Sequence, residues 1–263
     1  MLLKLLSIGD VVGPAAMAAL TKKLWSMRSQ LSADVCVVNA ENAAEGNGLE
    51  GHAANLLLQG GADVITSGNH IWRKREIRDY LRTHDRVLRP ANYPAGAPGS
   101  GYTIIDVSGY KLLVINALGT MYLEALDDPF RTIDGILERE SGRYDLAALD
   151  FHAEATSEKM AIGRYFDGRI AMIWGTHTHC PTADARIFPG GSGYITDIGF
   201  TGPDESILGV KIPIILKKMT TKLPERFDVA DGPISMSGAL FTYDTETRRC
   251  TGVQGITGWR IGE

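Results

Sequence analysis

Two histidines one residue apart, in Gly175-Thr176-His177-Thr178-His179, follow the apolar residues 170–174 directly and so fall where a strand runs out. On an extended segment, residues i and i+2 face the same side. His177 and His179 are therefore expected to present two imidazoles to one site, an arrangement suited to a metal ion. Taken alone, such a pair is more often a surface or hydrogen-bonded feature. The placement of the other polar donors shifts that balance.

Four further apolar runs end in metal-binding residue types. Residues 2–8 lead into Gly9-Asp10, 35–38 into Asn39-Ala40-Glu41-Asn42, 64–66 into Ser67-Gly68-Asn69-His70, and 146–149 into Asp150-Phe151-His152. Open α/β sheets place their binding crevice outside the carboxyl ends of their strands, so repetition at five strand ends predicts one shared site. His52, after Gly51 at a predicted helix start, and His84, in a charged stretch, do not fit the pattern and are expected at the surface. Cys180 adjoins His179, but neighbouring strand residues face opposite ways and the other donors are oxygen and imidazole, which argues against a thiolate ligand.

Between these runs the sequence reads as alternating strands and helices. Ala16, Leu20, Leu24, Met27 and Leu31 recur at helical spacing, predicting a packed amphipathic helix. Arg75, Arg78 and Arg82 share one helical face and Ile77, Tyr80 and Leu81 another, which predicts a solvated basic face and not a nucleic-acid surface. Residues 102–107, 111–115, 187–188, 193–196 and 238–243 are short and glycine-punctuated, as expected of hairpins. Together they predict an α/β sandwich.

The 263 residues, 44% hydrophobic, suffice for one large domain spanning 1–263, and no linker or repeat divides them. A net charge of −4 disfavours a grip on long nucleic acid, so any affinity for phosphate has to be local. Residues 1–8 are too short for a signal-peptide hydrophobic region, and no stretch is long enough to span a membrane. Three cysteines without a pairing pattern suit a reducing compartment, and a cytoplasmic location is expected.

The order Asp10, Glu41-Asn42, Gly68-Asn69-His70, His152 and Gly175-x-His177-x-His179 resembles the calcineurin-like metallophosphoesterases. More closely it resembles their YmdB-like subfamily, described as 2′,3′-cyclic-nucleotide 2′-phosphodiesterases. The matching blocks are Gly9–Gly13 (GDVVG), Asn39–Ala44 (NAENAA), Thr66–His70 (TSGNH), Arg89–Pro94 (RPANYP), Asp150–Lys159 (DFHAEATSEK), Gly175–His179 and Thr196–Pro203 (TDIGFTGP), spread over nearly the whole chain. Two departures from the wider superfamily are shared with the subfamily: Asp10-Val11-Val12 lacks the histidine of Asp-x-His, and Glu41-Asn42 replaces the usual bridging aspartate. A third is not shared, since Pro14-Ala15-Ala16-Met17 stands where the subfamily carries Gly-x-x-Gly-Arg.

The resemblance implies a sandwich of two mixed β-sheets flanked by helices. It also implies two divalent or trivalent transition-metal ions per chain. By position, one falls to Asp10, Glu41, Asn42 and His179 and the other to Glu41, Asn69, His152 and His177. Such donors suit iron, manganese or zinc, with iron or manganese favoured. Two cations roughly 3.5–4 Å apart supply a shared hydroxide and charge neutralisation for phosphodiester hydrolysis, with Glu41 as the natural bridge. His70 is expected to protonate the leaving ribose oxygen, the bland alternative being an orienting role. Asp150 and Glu154, flanking His152, are expected to orient its ring, and Asn116 stays unassigned. The expected activity is hydrolysis of 2′,3′-cyclic nucleotides, or another small phosphodiester, to the 3′-phosphate. The alternatives are a phosphomonoesterase or nuclease with the same metals, and a metal-stabilised regulatory scaffold acting through a partner or RNA. Self-association into a homo-oligomer is left open.

Overall fold

A computed structural model describes residues 1–262. In chain order the elements are β1 (Leu2–Ile8), β2 (Asp10–Val11), α1 (Gly13–Leu31), β3 (Val35–Asn39), α2 (Gly51–Gly60), β4 (Val64–Thr66), α3 (Ile77–Tyr80), β5 (Tyr102–Val107), β6 (Tyr110–Leu118) and α4 (Pro129–Arg139). There follow β7 (Leu146–His152), α5 (Thr156–Tyr165), β8 (Met172–Thr176), β9 (Arg186–Ile187), β10 (Gly193–Ile195), β11 (Phe200–Pro203), α6 (Ile212–Thr221), β12 (Ile234–Asp244) and β13 (Arg249–Gly262).

Two mixed sheets result. One runs β2-β11-β12-β1-β3-β4 with β13 added against β12, the other β5-β6-β7-β8-β10-β9. The period-two alternation of strand side chains explains how they stack. Along β1, Leu3 and Leu5 enter the core between the sheets, while Leu6 and Ile8 pack against Ala16, Leu20 and Leu24 of α1 and Leu57 of α2. Along β7, Leu146 and Ala148 face the inter-sheet core, while Ala147, Leu149 and Phe151 pack on Ile133 of α4 and Ile162 of α5. Helices therefore cover both outer faces of a sandwich, as the resemblance implied.

The arrangement aims one edge at one place. β1, β3 and β4 are mutually parallel, as are β6, β7 and β8, so their carboxyl ends deliver the polar residues side by side. Helix α1 begins at Gly13, whose φ of +84° suits glycine, and Pro14 occupies its first turn, where a missing N–H costs nothing. The basic stretch holds only the short α3, yet Ile77 and Leu81 are buried and Arg75, Arg78 and Arg82 exposed. His52 is exposed, and His84 is half-buried with its ring stacked on Tyr80. No helix among the described residues is long and apolar enough to cross a membrane.

Candidate metal centre

Five strand ends bring Asp10, Glu41, Asn42, Asn69, His70, His152, His177 and His179 into one cluster, the first three and His152 buried and the other four half-buried. Donor atoms of Glu41, His152 and His177 lie within 4.8 Å of one another, close enough to hold one ion. Glu41 is central: its Oε2 is 3.2 Å from His152 Nε2, and its Oε1 is 2.9 Å from Asn42 Nδ2 and 3.2 Å from His70 Nδ1. Asn69 Oδ1 is 3.2 Å and His177 Nδ1 3.0 Å from His152 Nε2, and Asp10 Oδ2 is 3.2 Å from His179 Nε2. Gly68 makes room for this, because a Cβ there would lie 2.2 Å from His152 Nε2 and 2.3 Å from Glu41 Oε2.

The hydrogen-bond network fixes which way each imidazole faces. Thr176 Oγ1 donates its one proton to Asp150 Oδ1 at 2.7 Å, so it accepts from His152 Nδ1–H at 2.9 Å and leaves a lone pair on Nε2. His177 Nε2 meets Glu154 at 3.0 Å and His179 Nδ1 meets the Leu208 carbonyl at 3.1 Å, so their inward nitrogens are lone pairs as well. The inward atoms are thus almost all acceptors facing acceptors: Nε2 of His152, Nδ1 of His177, Nε2 of His179, both Glu41 oxygens and Asn69 Oδ1. Asp10 Oδ1 is buried with no hydrogen-bond partner among the described residues. Acceptors packed at such distances repel unless something positive lies between them. The donor set therefore fits metal cations.

The ionisation equilibria of the metal-free cluster carry the same message. Burial disfavours charge on His152, yet the carboxylates of Glu41 and Asp10 lift its pKa to about 9, so a proton takes the place a cation would fill. Burial likewise opposes charge on Glu41, but His152 and His70 hold its carboxyl well below the usual range. His177 is pushed down to about 4, by burial first and then by repulsion from His152, which keeps it a neutral imidazole. Burial opposes charge on His179 too, and the Asp10 carboxylate raises it.

Two expectations need correction. His177 and His179 do not lie on one extended segment: β8 ends at Thr176, and the two residues adopt φ of +96° and +62°. This left-handed backbone, uncommon for non-glycine residues, sends His177 to His152 and His179 to Asp10. Glu154 orients His177 and not His152, whose ring is held by Thr176 with Asp150 one step behind. Asn42 also carries a qualification of geometry. Its Oδ1 faces His70 Nδ1 at 2.8 Å and its Nδ2 faces Glu41, so a role as oxygen ligand requires the opposite turn of the amide.

Asp150, expected from the sequence to orient the His152 ring, does so through Thr176; with its pKa pushed up to about 6 by burial, it accepts from Thr66 and Thr176 and from Asn39 Nδ2 at 3.1 Å. Other supporting residues escape sequence reasoning. Lys159 and Asp197, 2% and 1% exposed, form a buried ion pair at 2.6 Å, and the same Asp197 Oδ2 accepts from Thr178 Oγ1 at 2.7 Å. Thr178 sits between the two left-handed histidines, so this pair clamps the turn that aims them. Gly175 lets the clamp approach, since a Cβ there would lie 1.9 Å from the Thr196 carbonyl and 2.8 Å from Lys159 Cδ. Asn116 is structural, accepting from the Ser67 N–H at 3.0 Å. The blocks containing Lys159 and Asp197 were visible in the sequence, but no periodicity pointed to a buried pair 38 residues apart.

His177, His179, Glu41, Asn42 and His70 also line the floor of an open cleft of about 810 Å³. A wall of the cleft comes from residues 207–229, through Ile207, Leu208, Ile215, Met219 and Phe227. Lys218, Lys222 and Arg226 stand on that wall too.

The model of the YmdB-like protein family matches residues 6–256. The chain belongs to the YmdB-like family. It is 42% identical over 254 residues to the 2′,3′-cyclic-nucleotide 2′-phosphodiesterase of Bacillus subtilis, covering 97% of this chain and 96% of that one. Among solved structures, a hypothetical protein from Thermus thermophilus superposes with a TM-score of 0.90 at 37% identity, over 98% of this chain and 100% of that one. A novel phosphatase from Mycoplasma pneumoniae superposes with a TM-score of 0.91 at 32% identity, over 100% of this chain and 94% of that one. The fold is thus that of the YmdB-like metallophosphoesterases, and in this chain the acceptor cluster lies at the carboxyl ends of the strands.

Proposed function

We propose that this chain is a phosphodiesterase that opens 2′,3′-cyclic phosphates to 3′-phosphates at a two-metal centre. The observation that carries the reading is the convergence of acceptor atoms on either side of Glu41. On one side are Asp10 and His179, joined by Asn42 once its amide is turned, and on the other Asn69, His152 and His177. These are the two proposed ligand sets, sharing Glu41. Bound there, two transition-metal ions would neutralise the phosphate and activate water at neutral pH.

The remaining work falls to the chain itself. Thr176, Glu154 and the Leu208 carbonyl each fix one imidazole with its lone pair inward, so the ligands are set before a cation arrives. Lys159 and Asp197 hold the turn that carries two of them. His70 Nδ1 is engaged by Asn42 and Glu41, which leaves Nε2 without a hydrogen bond among the described residues and His70 on the cleft floor. From there the imidazole delivers a proton to the departing 2′ oxygen of the ribose. The balance is that of hydrolysis: water forms the new P–O bond, the P–O2′ bond breaks, and O2′ leaves as a hydroxyl.

The name of the Bacillus subtilis relative supports the substrate, and the apolar cleft wall beside the cluster suits a nucleoside. Incubating metal-loaded protein with the four 2′,3′-cyclic nucleotides and separating the products tests this. Accumulation of 3′-nucleotides is expected. Mainly 2′-nucleotides would mean that the wrong ribose oxygen lies near His70. Untouched cyclic nucleotides beside efficient cleavage of monoesters would replace the reading with a phosphomonoesterase.

A further inference from the structure

The wall beside the metal cluster has more positive charge than one cyclic nucleotide can use. A 2′,3′-cyclic mononucleoside carries a single phosphate, and the proposed metals take it. Yet Lys218, Lys222 and Arg226 line the same cleft, and none of them pairs with a carboxylate among the described residues. Their neighbours behave otherwise: Lys217 pairs with Glu225 at 2.6 Å and Lys211 with Asp231 at 3.3 Å, both outside the cleft. The acidic side chains on the cleft besides Glu41 are Glu45 and Asp228.

Helix stability alone does not account for this arrangement. Lys218 and Lys222 complement the carboxyl end of α6, but like charges four residues apart repel each other. Arg226 lies beyond the helix, where its dipole has faded. Beside the three cations stands Phe227, an aromatic 45% exposed, with Lys218 Nζ 4.4 Å from its ring centre. An exposed aromatic ring beside cations that have no carboxylate partner is how single-stranded nucleic acid is held without reading its sequence, by stacking on bases and tracking the backbone.

We infer that the preferred substrate is an oligoribonucleotide whose 3′ end carries the 2′,3′-cyclic phosphate. Phe227 stacks on a base near that end, and Lys218, Lys222 and Arg226 take phosphodiesters on its 5′ side. The inference rests on the phosphodiesterase reading, the chemistry at phosphorus being unchanged. The net charge of −4 confines the contact to a few nucleotides at this wall.

The test compares a 5′-phosphorylated trinucleotide ending in a 2′,3′-cyclic phosphate with the cyclic mononucleotide, on metal-loaded protein. The trinucleotide should show a kcat/KM higher by about tenfold or more, an advantage that shrinks with added salt. The triple variant Lys218→Ala/Lys222→Ala/Arg226→Ala should erase that advantage, with a much smaller effect on the mononucleotide. All three positions are exposed, so the variant is expected to fold. Equal kcat/KM for the two substrates, or an advantage that survives the triple variant, would overturn the inference while leaving the phosphodiesterase reading intact. Fluorescence anisotropy on the product pair, a trinucleotide 3′-phosphate against a 3′-mononucleotide, gives an answer that needs no turnover. If neither cyclic substrate is opened, the activity reading falls, and equal affinities for the two products would remove the inference as well.

Discussion

The two sides of the cleft are built on opposite principles. On the floor and just beneath it, Asp10, Glu41 and His152 are at most 1% exposed, and the imidazoles of His152, His177 and His179 each have a fixed partner behind them. On the wall, α6 buries only Ile215, while Leu216, Met219, Leu223 and Phe227 are exposed and the cleft-lining Lys218, Lys222 and Arg226 have no carboxylate partner among the described residues. The floor resembles a folded core in its cost of change, whereas the wall resembles a surface waiting for a ligand. Reaction chemistry needs donors pre-set to within a fraction of an ångström, and recognition of a varied substrate tolerates adaptable contacts. Substitutions on the floor should therefore abolish chemistry, and substitutions on the wall should alter which substrate is used.

The sharpest way to break this contrast is Glu41→Ala. With the shared carboxylate gone, turnover is expected to fall by more than about 10⁴-fold with the circular dichroism spectrum retained. Metal analysis should show both ions lost or weakened, and a folded variant that stays active would remove Glu41 from the centre. Next comes His70→Asn, expected to cost roughly 10²–10⁴-fold on cyclic nucleotides while both metals stay bound. The loss should be much smaller on a nitrophenyl ester, whose leaving group scarcely needs a proton, so equal losses on the two substrates would assign His70 another role.

Asp197→Asn probes the support beneath the floor. Freeing Thr178 and leaving Lys159 buried without its partner should weaken metal affinity by about 10–100-fold. Unchanged metal affinity on titration would show that the clamp does not aim the histidines. On the wall, Phe227→Ala should raise KM for nucleotides by about tenfold with kcat nearly constant, and Phe227→Tyr should restore it. A fall in kcat instead would place Phe227 with the floor.

The smallest effect is a matter of protons. In metal-stripped protein His152 has its pKa raised from the ordinary 6.5 to about 9, against burial, by Glu41 and Asp10. The folded state thus holds this proton more tightly than the unfolded one. Its contribution to stability is complete below pH 6.5 and is lost as pH rises through about 9. Thermal melts of chelated protein should lose at least about 2–4 °C across that window, while metal-loaded protein should not. A flat profile for the chelated protein would contradict the reading of the floor as a set of acceptors in need of a cation.

β1 over Leu2–Ile8 and β5 over Tyr102–Val107 match the predicted residues, β1 because its apolar run is mostly buried and β5 because Gly101 precedes it and the turn at Ser108-Gly109 ends it. β8 begins two residues later than the apolar run it comes from and extends to Thr176, since sheet pairing and not hydrophobicity sets its ends. α6 and β13 went unread. The first leaves most of its apolar residues exposed, and the second mixes exposed glycine, threonine and arginine along its length, so neither shows a clean period.

By itself the sequence determined which donor types follow which strands, because a strand's hydrophobic run and the polar residues after it are local facts. Only the tertiary structure decided which donors meet. The left-handed turn at His177 and His179, the straddling position of Glu41 and the pair of Lys159 with Asp197 all depend on two sheets and their helices packing together. Side chains as distant in sequence as Lys159 from Asp197, or Asp10 from His179, come within bonding distance only once those layers close.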